Sequence, residues 1–286
     1  MKFSYYPGCT VHSTAIEYAR SIDAVLDALG IELAEIEDWS CCGAAAAHSI
    51  HRKLGLALPA RNISQAQKQT DLSSDLVTSC PGCFNALKRA DYALRNNEEA
   101  RKEIEETVGF TYSGDVHIRS LMEVLTHELG KEVLTAKVKR PLDKLKLVCY
   151  YGCALVRPHA VTGLENPENP MMMDNLMTWI GADVRDWSYK TECCGADLAL
   201  THGDMVQKIV GRLMDHAREA GAEAVVTSCG LCQANMDMRQ TGSDPLPVFY
   251  FTELMGVAMD VPNRKGWWSK HIVNPHPLLA RLGYES

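Results

Sequence analysis

Ten of the eleven cysteines in this 286-residue chain fall into one pattern written twice. The first copy is Cys9, the adjacent pair Cys41 and Cys42, then Cys80 and Cys83. The second is Cys153, the pair Cys193 and Cys194, then Cys229 and Cys232. A structural zinc ion or an ordinary cubane iron–sulfur cluster takes four protein ligands, so a fifth thiol per copy is either idle or belongs to a centre with more places to fill. Adjacent side chains of an extended segment point to opposite sides, which makes one tetrahedral ion an awkward shared target for Cys41 and Cys42. A centre with several metals can take the two thiolates on different atoms, or let one bridge. The plainer reading joins each Cys-x2-Cys to its pair as a four-cysteine zinc site. It leaves Cys9 and Cys153 unexplained in both halves, and the ligand count favours iron and sulfide. Gly43 and Gly195 suit a backbone that turns sharply or approaches an inorganic sulfide closely.

The elements that must position these residues alternate between strand and helix. Lys2 to Tyr6 reads as a short strand ending at Cys9. Ser13 caps a helix whose apolar stripe runs through Ile16, Ile22, Val25 and Leu29 to Gly30. Ile31 to Ile36 is the next strand, followed by Cys41-Cys42-Gly43, a helix over Pro59 to Gln69, and the strand from Leu76 to Cys80. The second half repeats the order: a strand from Leu145 to Tyr151, a helix around Asp174 to Ile180, a strand from Ala182 to Trp187, a helix over Asp204 to Ala220, and a strand from Ala224 to Cys229. A final strand-to-helix segment recurs from Val116 to Leu125 and from Val248 to Ala258. Such alternation predicts an α/β fold of two pseudo-equivalent, Rossmann-like domains with parallel sheets. Ligands gather beyond the carboxyl ends of such strands, where Cys9, Cys80, Cys153 and Cys229 fall. The charged stretch 96–107 and the basic, proline-containing stretch 131–144 place the boundary near residue 140, giving domains 1–140 and 141–286 with their cysteine edges facing each other.

Composition excludes several classes. A hydrophobic content of 46% with 23% charged residues is that of a globular protein. A net charge of −7 argues against a general nucleic-acid binder. No apolar run approaches the roughly 20 residues of a membrane span, and the amino terminus has no signal-peptide core. Eleven cysteines without an export signal point to reduced thiols in the cytoplasm rather than a disulfide framework.

The two cysteine patterns, with Val77-Thr78-Ser79-Cys80 matched by Val226-Thr227-Ser228-Cys229, resemble the cysteine-rich domain named for its Cys-Cys-Gly signature. Two complete copies resemble the B subunit of heterodisulfide reductase, as does the stretch Glu165-Asn166-Pro167-Glu168-Asn169-Pro170. The resemblance implies a noncubane [4Fe-4S] cluster on the five cysteines of each half and a cleft between the clusters where a disulfide is reductively split. It implies an oxidoreductase acting on sulfur groups, served by a ferredoxin-like C subunit with cubane [4Fe-4S] clusters and a flavin-containing A subunit. No nucleotide motif suggests that this chain binds a nucleotide or flavin itself. Two alternatives stay open: a subunit working in the sulfur-oxidising direction, and an electron-relay subunit of a flavin-linked dehydrogenase.

Other residues carry weaker signals. His48 and His202 follow the cysteine pairs and are candidate proton donors, although capping or packing explains them as well. His12 and His159 lie just beyond Cys9 and Cys153 and are weaker candidates still. Cys149 reads as a buried core thiol, because the matching position in the first copy is Tyr5. Met171 to Met173 read as apolar filler near a loop. The tail from Trp267-Trp268 to Ser286 either docks a partner protein or packs on its own domain.

Overall fold

The computed structural model describes residues 1–44, 46–262, 264 and 266–284. The first half runs through β1 (Lys2–Tyr5), α1 (Ile16–Leu29), β2 (Glu32–Glu35), α2 (Ala47–Ile50), α3 (Arg52–Lys68) and β3 (Asp75–Thr78). It continues with α4 (Pro81–Asn96), α5 (Glu98–Val108), β4 (His117–Ser120), α6 (Leu121–Glu123) and α7 (Gly130–Lys137). The second half holds β5 (Lys146–Tyr150), α8 (His159–Thr162), α9 (Met172–Trp179), β6 (Asp183–Val184) and α10 (Gly203–Glu219). It ends with β7 (Ala224–Thr227), α11 (Gly230–Arg239), β8 (Val248–Tyr250), α12 (Phe251–Ala258) and α13 (His276–Leu282).

Each half builds one four-stranded sheet, ordered β2-β1-β3-β4 and β6-β5-β7-β8, and every strand pairing is parallel. Parallel strands need crossover helices on both faces, and alternation along the strands shows both faces filled. In the second sheet Leu147, Cys149, Val226 and Phe249 enter one apolar core, while Val148, Tyr150, Val225 and Val248 enter another beneath α10. That helix turns Val206, Val210, Leu213, Met214 and Ala217 inward, one apolar stripe at helical spacing. The larger core crosses from one half to the other, joining Phe3, Tyr18 and Ile22 to Tyr250, Phe251 and Leu254.

The seam between the halves is formed largely by α1 against α12. The rings of Tyr18 and Tyr250 stack with centroids 4.2 Å apart, and the Ser21 and Thr252 hydroxyls lie 2.6 Å apart. Across the other side, Asn85 on α4 donates to the carbonyls of Ala154 and Arg157, 2.7 and 2.8 Å away.

Several local expectations need correction. Ser13 does not cap α1: its hydroxyl turns back to the Cys9 carbonyl, and the helix starts at Ile16 without a side-chain cap. Helix α3 starts at Arg52, not near Pro59, because a ring nitrogen of His51 accepts from the Lys53 amide and supplies the cap. Pro59 therefore sits inside the helix at the expense of one backbone hydrogen bond. The charged stretch 96–107, used to place the boundary, is mostly α5, packed on α3 and α4 within the first half. The expected strand from Ala182 to Trp187 shortens to Asp183–Val184. Met172 and Met173 are core residues opening α9, with 2% and 0% exposure, rather than loop filler.

The tail packs on its own chain as far as it is described; its last two residues lie outside the described set. Trp267 is buried against Gly256, where an added Cβ would lie 2.5 Å from the indole ring. Glycine is thus the residue that lets α12 accept this ring. Gly256→Ala is expected to lower stability by about 1–3 kcal/mol through overpacking, and Trp267→Ala by about 3–5 kcal/mol through lost burial. Denaturant midpoints of the purified variants check both, and unchanged midpoints would mean that the tail contributes nothing to the fold.

Candidate functional site

The parallel order brings three chain segments of each half to one sheet edge. After β1 the chain turns through Tyr6-Pro7-Gly8 to Cys9, after β2 it reaches Cys41-Cys42, and after β3 it passes Cys80 into α4, whose first turn carries Cys83. The second half repeats this with Cys153, Cys193-Cys194 and Cys229-Cys232. All eleven cysteines are free thiols. The Sγ atoms of Cys42 and Cys83 lie 3.5 Å apart, those of Cys9 and Cys41 3.9 Å, and those of Cys194 and Cys232 3.6 Å. These are contact distances, well beyond the roughly 2 Å of a disulfide. The ten predicted site cysteines thus gather into two sets of five.

Both sets rest on the same supports. The Tyr6 hydroxyl donates to the Ser40 carbonyl at 2.8 Å and the Tyr150 hydroxyl to the Glu192 carbonyl at 2.6 Å, in each case the residue just before the cysteine pair. The Gly43 amide donates to Cys41 Sγ at 3.4 Å and the Gly195 amide to Cys193 Sγ at 3.3 Å. Gly8 and Gly152 both have positive φ, 75° and 68°, and a Cβ on Gly8 would lie 2.7 Å from Cys83 Sγ. Cys80 and Cys229 occupy the caps of α4 and α11, and Cys229 Sγ accepts the Cys232 amide at 3.4 Å. Helix N-termini favour anionic sulfur.

Crowding divides the thiols into proton holders and proton donors. Hydrogen bonds from Cys41 and then Cys83 push Cys42 down to about 4, and a hydrogen bond from Cys153 pushes Cys193 down to about 6. Cys41 and Cys153 move up in exchange, each bound to its neighbouring thiolate and partly desolvated. The buried Cys80 thiol is lowered chiefly by Cys229 of the opposite half, so the two sets lie within electrostatic reach of each other across the seam.

A cavity of about 530 Å³ opens between the halves, with Cys42 on one side and Cys153, Cys193, Cys194, Cys229 and Cys232 on the other. Much of the remaining wall is apolar or small, including Ala44, Ala86, Ala154, Pro158, Ala196 and Leu231. Its polar groups are His48, Asn85, Arg89, Arg157 and Asp197. Burial raises the Asp197 carboxyl while His48 pulls it back, so these two side chains are within electrostatic reach of each other.

Of the sequence candidates, His48 lines this cavity and His202 does not; the His202 ring bonds the neighbouring Thr201 hydroxyl. His12 stacks on Trp39 and pairs with Glu35 at 3.3 Å, and neither it nor His159 lines the cavity. Cys149 is fully buried in β5, its thiol raised by burial and by Asp174. Sequence reasoning missed the supporting residues of the second set. Lys190 Nζ lies 2.7 Å from Asp174 and 3.0 Å from Asn169, while the Lys190 carbonyl accepts the amides of Tyr151 and Gly152. Arg157 joins Glu168 to Thr191, and Glu165 accepts the amides that open α9. The stretch 165–170 is therefore a clamp for the second site. The sequence singled out this stretch only by its resemblance to the B subunit of heterodisulfide reductase, without a role for its residues.

A family model described as a cysteine-rich domain, CCG, matches residues 3–88 and 147–237. The chain is 31% identical over 287 residues to the 8-methylmenaquinol:fumarate reductase membrane anchor subunit of Wolinella succinogenes, covering 97% of this chain and 99% of the relative. It is 29% identical over 273 residues to the B subunit of the ferredoxin/F(420)H(2)-dependent CoB-CoM heterodisulfide reductase of Methanosarcina acetivorans, covering 90% of this chain and 89% of the relative. A crystal structure of a hypothetical protein from Helicobacter pylori superposes with a TM-score of 0.73 at 15% identity. The match covers 95% of this chain, which spans about half the length of that one, and shows the fold alone.

The glycine and tyrosine supports make separable predictions. Gly8→Ala places a methyl against Cys83 at a positive φ; if each set holds its own metal centre, the first should fail to hold metal while the second keeps it, roughly halving metal content. Tyr6→Phe removes one hydrogen bond, worth about 0.5–1.5 kcal/mol, and should retain the metal with an altered electron paramagnetic resonance spectrum. Metal analysis and spectra of both variants check this; wild-type metal content in Gly8→Ala would contradict it.

Proposed function

The chain belongs to the cysteine-rich CCG domain family, which it carries in two copies, and from that premise we propose that it is the subunit at which a heterodisulfide reductase-like complex splits a disulfide. The relatives support an iron–sulfur subunit of the heterodisulfide reductase B type. The observation that carries the finer reading is a single cavity between the halves, lined by Cys42 of the first set and by all five cysteines of the second.

The donor set fits iron–sulfur clusters. All ten converging donors are sulfur and all are free thiols. Cys9, Cys41, Cys42, Cys80 and Cys83 would hold one noncubane [4Fe-4S] cluster, and Cys153, Cys193, Cys194, Cys229 and Cys232 the other. Bound there, the clusters supply one electron each to a cleavage that needs two. The chain's own residues do the rest. Ala44, Ala86, Ala154 and Leu231 give the sulfur-lined cavity a largely apolar wall against which the non-reacting part of a disulfide would pack. Asn85 ties α4 to the loop after Cys153 and so fixes the spacing of the two walls. His48 stands in the wall to hand a proton to a departing thiolate, with Asp197 opposite to hold its charge.

The reading includes two units, 1–140 and 141–286, a cytoplasmic location, a ferredoxin-like C subunit and a flavin-containing A subunit. No helix among the described residues is long and apolar enough to cross a membrane. One observation favours a second reading, an electron relay within a flavin-linked dehydrogenase: the relative matched over nearly its whole length is named for a fumarate reductase. Run in reverse on thiols, the same site would serve a sulfur-oxidising complex.

Anaerobic reconstitution should give about eight irons and eight sulfides per chain, and stoichiometric zinc without sulfide would overturn the cluster assignment. The paired mechanism is tested by Cys41→Ala/Cys42→Ala and Cys193→Ala/Cys194→Ala with an artificial one-electron donor. Each double variant should fall below about a hundredth of wild-type disulfide reduction, a barrier increase of about 2.7 kcal/mol, because a lone electron leaves the second sulfur as an unstabilised radical. A folded single-cluster variant with near half of wild-type activity would defeat it.

A further inference from the structure

Behind the Tyr18–Tyr250 stack lies a group of buried acids that the cleft chemistry does not use. Glu17 on α1 is 2% exposed, and its Oε2 atom has no hydrogen-bond partner. Glu253 on α12 is fully buried; one oxygen accepts the Tyr250 amide at 2.8 Å, and the other lies 3.1 Å from Nε2 of His271. The His271 side chain is fully buried as well, and its Nδ1 has no partner. It comes from the tail, which is fastened to α11 where Asp237 accepts the amides of Ile272 and Val273.

Two buried carboxyls and a buried imidazole within electrostatic reach of one another, with an orphaned atom on each of two of them, hold more polar capacity than a packing role requires. An unpartnered buried atom costs about 1–3 kcal/mol, and a buried carboxylate without a partner costs more, so the group favours binding protons. Burial raises Glu17, against the pull of His271, Lys270 and Arg20. Burial likewise raises Glu253 against His271. His271 is raised as well, its desolvation outweighed by Glu253, Asp237 and Glu17 together. The link to the cysteines is the Tyr18–Tyr250 stack: Glu253 accepts the Tyr250 amide, and the Tyr18 hydroxyl donates at 3.2 Å to the carbonyl of Ser79, the residue before Cys80. The Tyr250 hydroxyl is raised first by burial and then by Glu253, Glu17, Cys229 and Cys80. Acids and cysteines therefore lie within electrostatic reach of the same phenol.

We propose that Glu17, Glu253 and His271 form a buried proton store on the seam between the halves, which takes up a proton from water when the adjoining cysteine sites gain an electron and returns it when they lose one. The inference rests on the reading of those sites as electron carriers. The electron comes from a ferredoxin-type one-electron donor and the proton from solvent; none passes from this store to the substrate. The added negative charge is met by a proton nearby, as weak screening in a dry interior demands.

Two measurements test it. In the metal-loaded protein the midpoint potential of at least one centre, followed by electron paramagnetic resonance, should fall by about 59 mV per pH unit, the tenfold-per-unit equivalent for one proton per electron. Glu17→Gln, which keeps the shape and removes the proton site, should flatten that slope and erase a protonated-carboxyl band from reduced-minus-oxidised infrared difference spectra. Should Glu17→Gln not fold, Glu253→Gln retains the acceptor for the Tyr250 amide and carries the same test. A pH-independent potential in the wild type, or an unchanged slope in the folded variants, overturns the store. Loss of disulfide turnover with the slope intact would instead count against the proposed reaction and leave the store standing.

The same groups set a stability trend. Glu17 and His271 both bind protons more tightly folded than unfolded, so their contribution is full at acid pH and is lost as pH rises, from above 4.5 for Glu17 and above 6.5 for His271. Unfolding midpoints of wild type should decline across that window, and those of Glu17→Gln should decline less. A steeper decline in the variant would reverse the assignment.

Discussion

Each half must bring five sulfur atoms from three distant chain segments to within contact distance, and most of the architecture follows from that constraint. A parallel sheet ordered β2-β1-β3-β4 puts the carboxyl ends of its first three strands on one edge, side by side. An antiparallel sheet would send alternate strands to opposite edges and scatter the cysteines. Parallel pairing requires helical crossovers, and the crossovers bury both faces of each sheet. The strands are short, two to five residues, because they need only reach the edge and stop.

Convergence alone does not hold thiolates that repel one another. The backbone supplies the counterweight: the Gly43 and Gly195 amides point at Cys41 and Cys193, and the first turns of α4 and α11 start at Cys80 and Cys229. Tyr6 and Tyr150 fix the other side of each loop through the carbonyls of Ser40 and Glu192. Both phenols are raised, first by burial and then by the surrounding cysteines, so they remain neutral donors beside anionic sulfur. A residue that lost its proton here would turn a support into a further repulsion.

The cysteine spacing and the strand–helix alternation made the repeat, the sheet type and the cysteine-bearing edge legible in the sequence, because both signals are local. The supports were not legible, because each depends on a contact between segments far apart in the chain. Nothing near Asn85 announces the carbonyls of Ala154 and Arg157, and nothing near Glu17 announces His271, which lies at the other end of the chain. The start of α3 was hidden for a different reason: histidine is a rare cap, and Pro59 is the kind of residue that usually marks a beginning. The tail's two readings divide on the packing of Trp267 against Gly256, a contact that neither residue's neighbours foretell.

The repeat is close in its sulfur contacts but not in what lies behind them. The loop before Cys41 is held by Asn62, which bonds both the amide and the carbonyl of Ser40, and by the exposed pair of Arg61 with Asp38. The loop before Cys193 is held by Lys190, whose side chain is nearly excluded from water and paired with an equally buried Asp174. Replacing a buried ion pair with apolar residues is often neutral or stabilising, so net stability alone is a weak reason to keep one. Its geometric effect is definite here. Lys190 bonds through its side chain to Asn169 and Asp174 and through its carbonyl to the two residues before Cys153. One residue thus locks the Cys153 loop, the Cys193 loop and the start of α9 together. The two cysteine sets share their arrangement but differ in nearby buried charge, and buried charge acts strongly across short, dry distances. If each set holds a cluster, as proposed, the two would take up an electron at different potentials even though their sulfur atoms are placed alike.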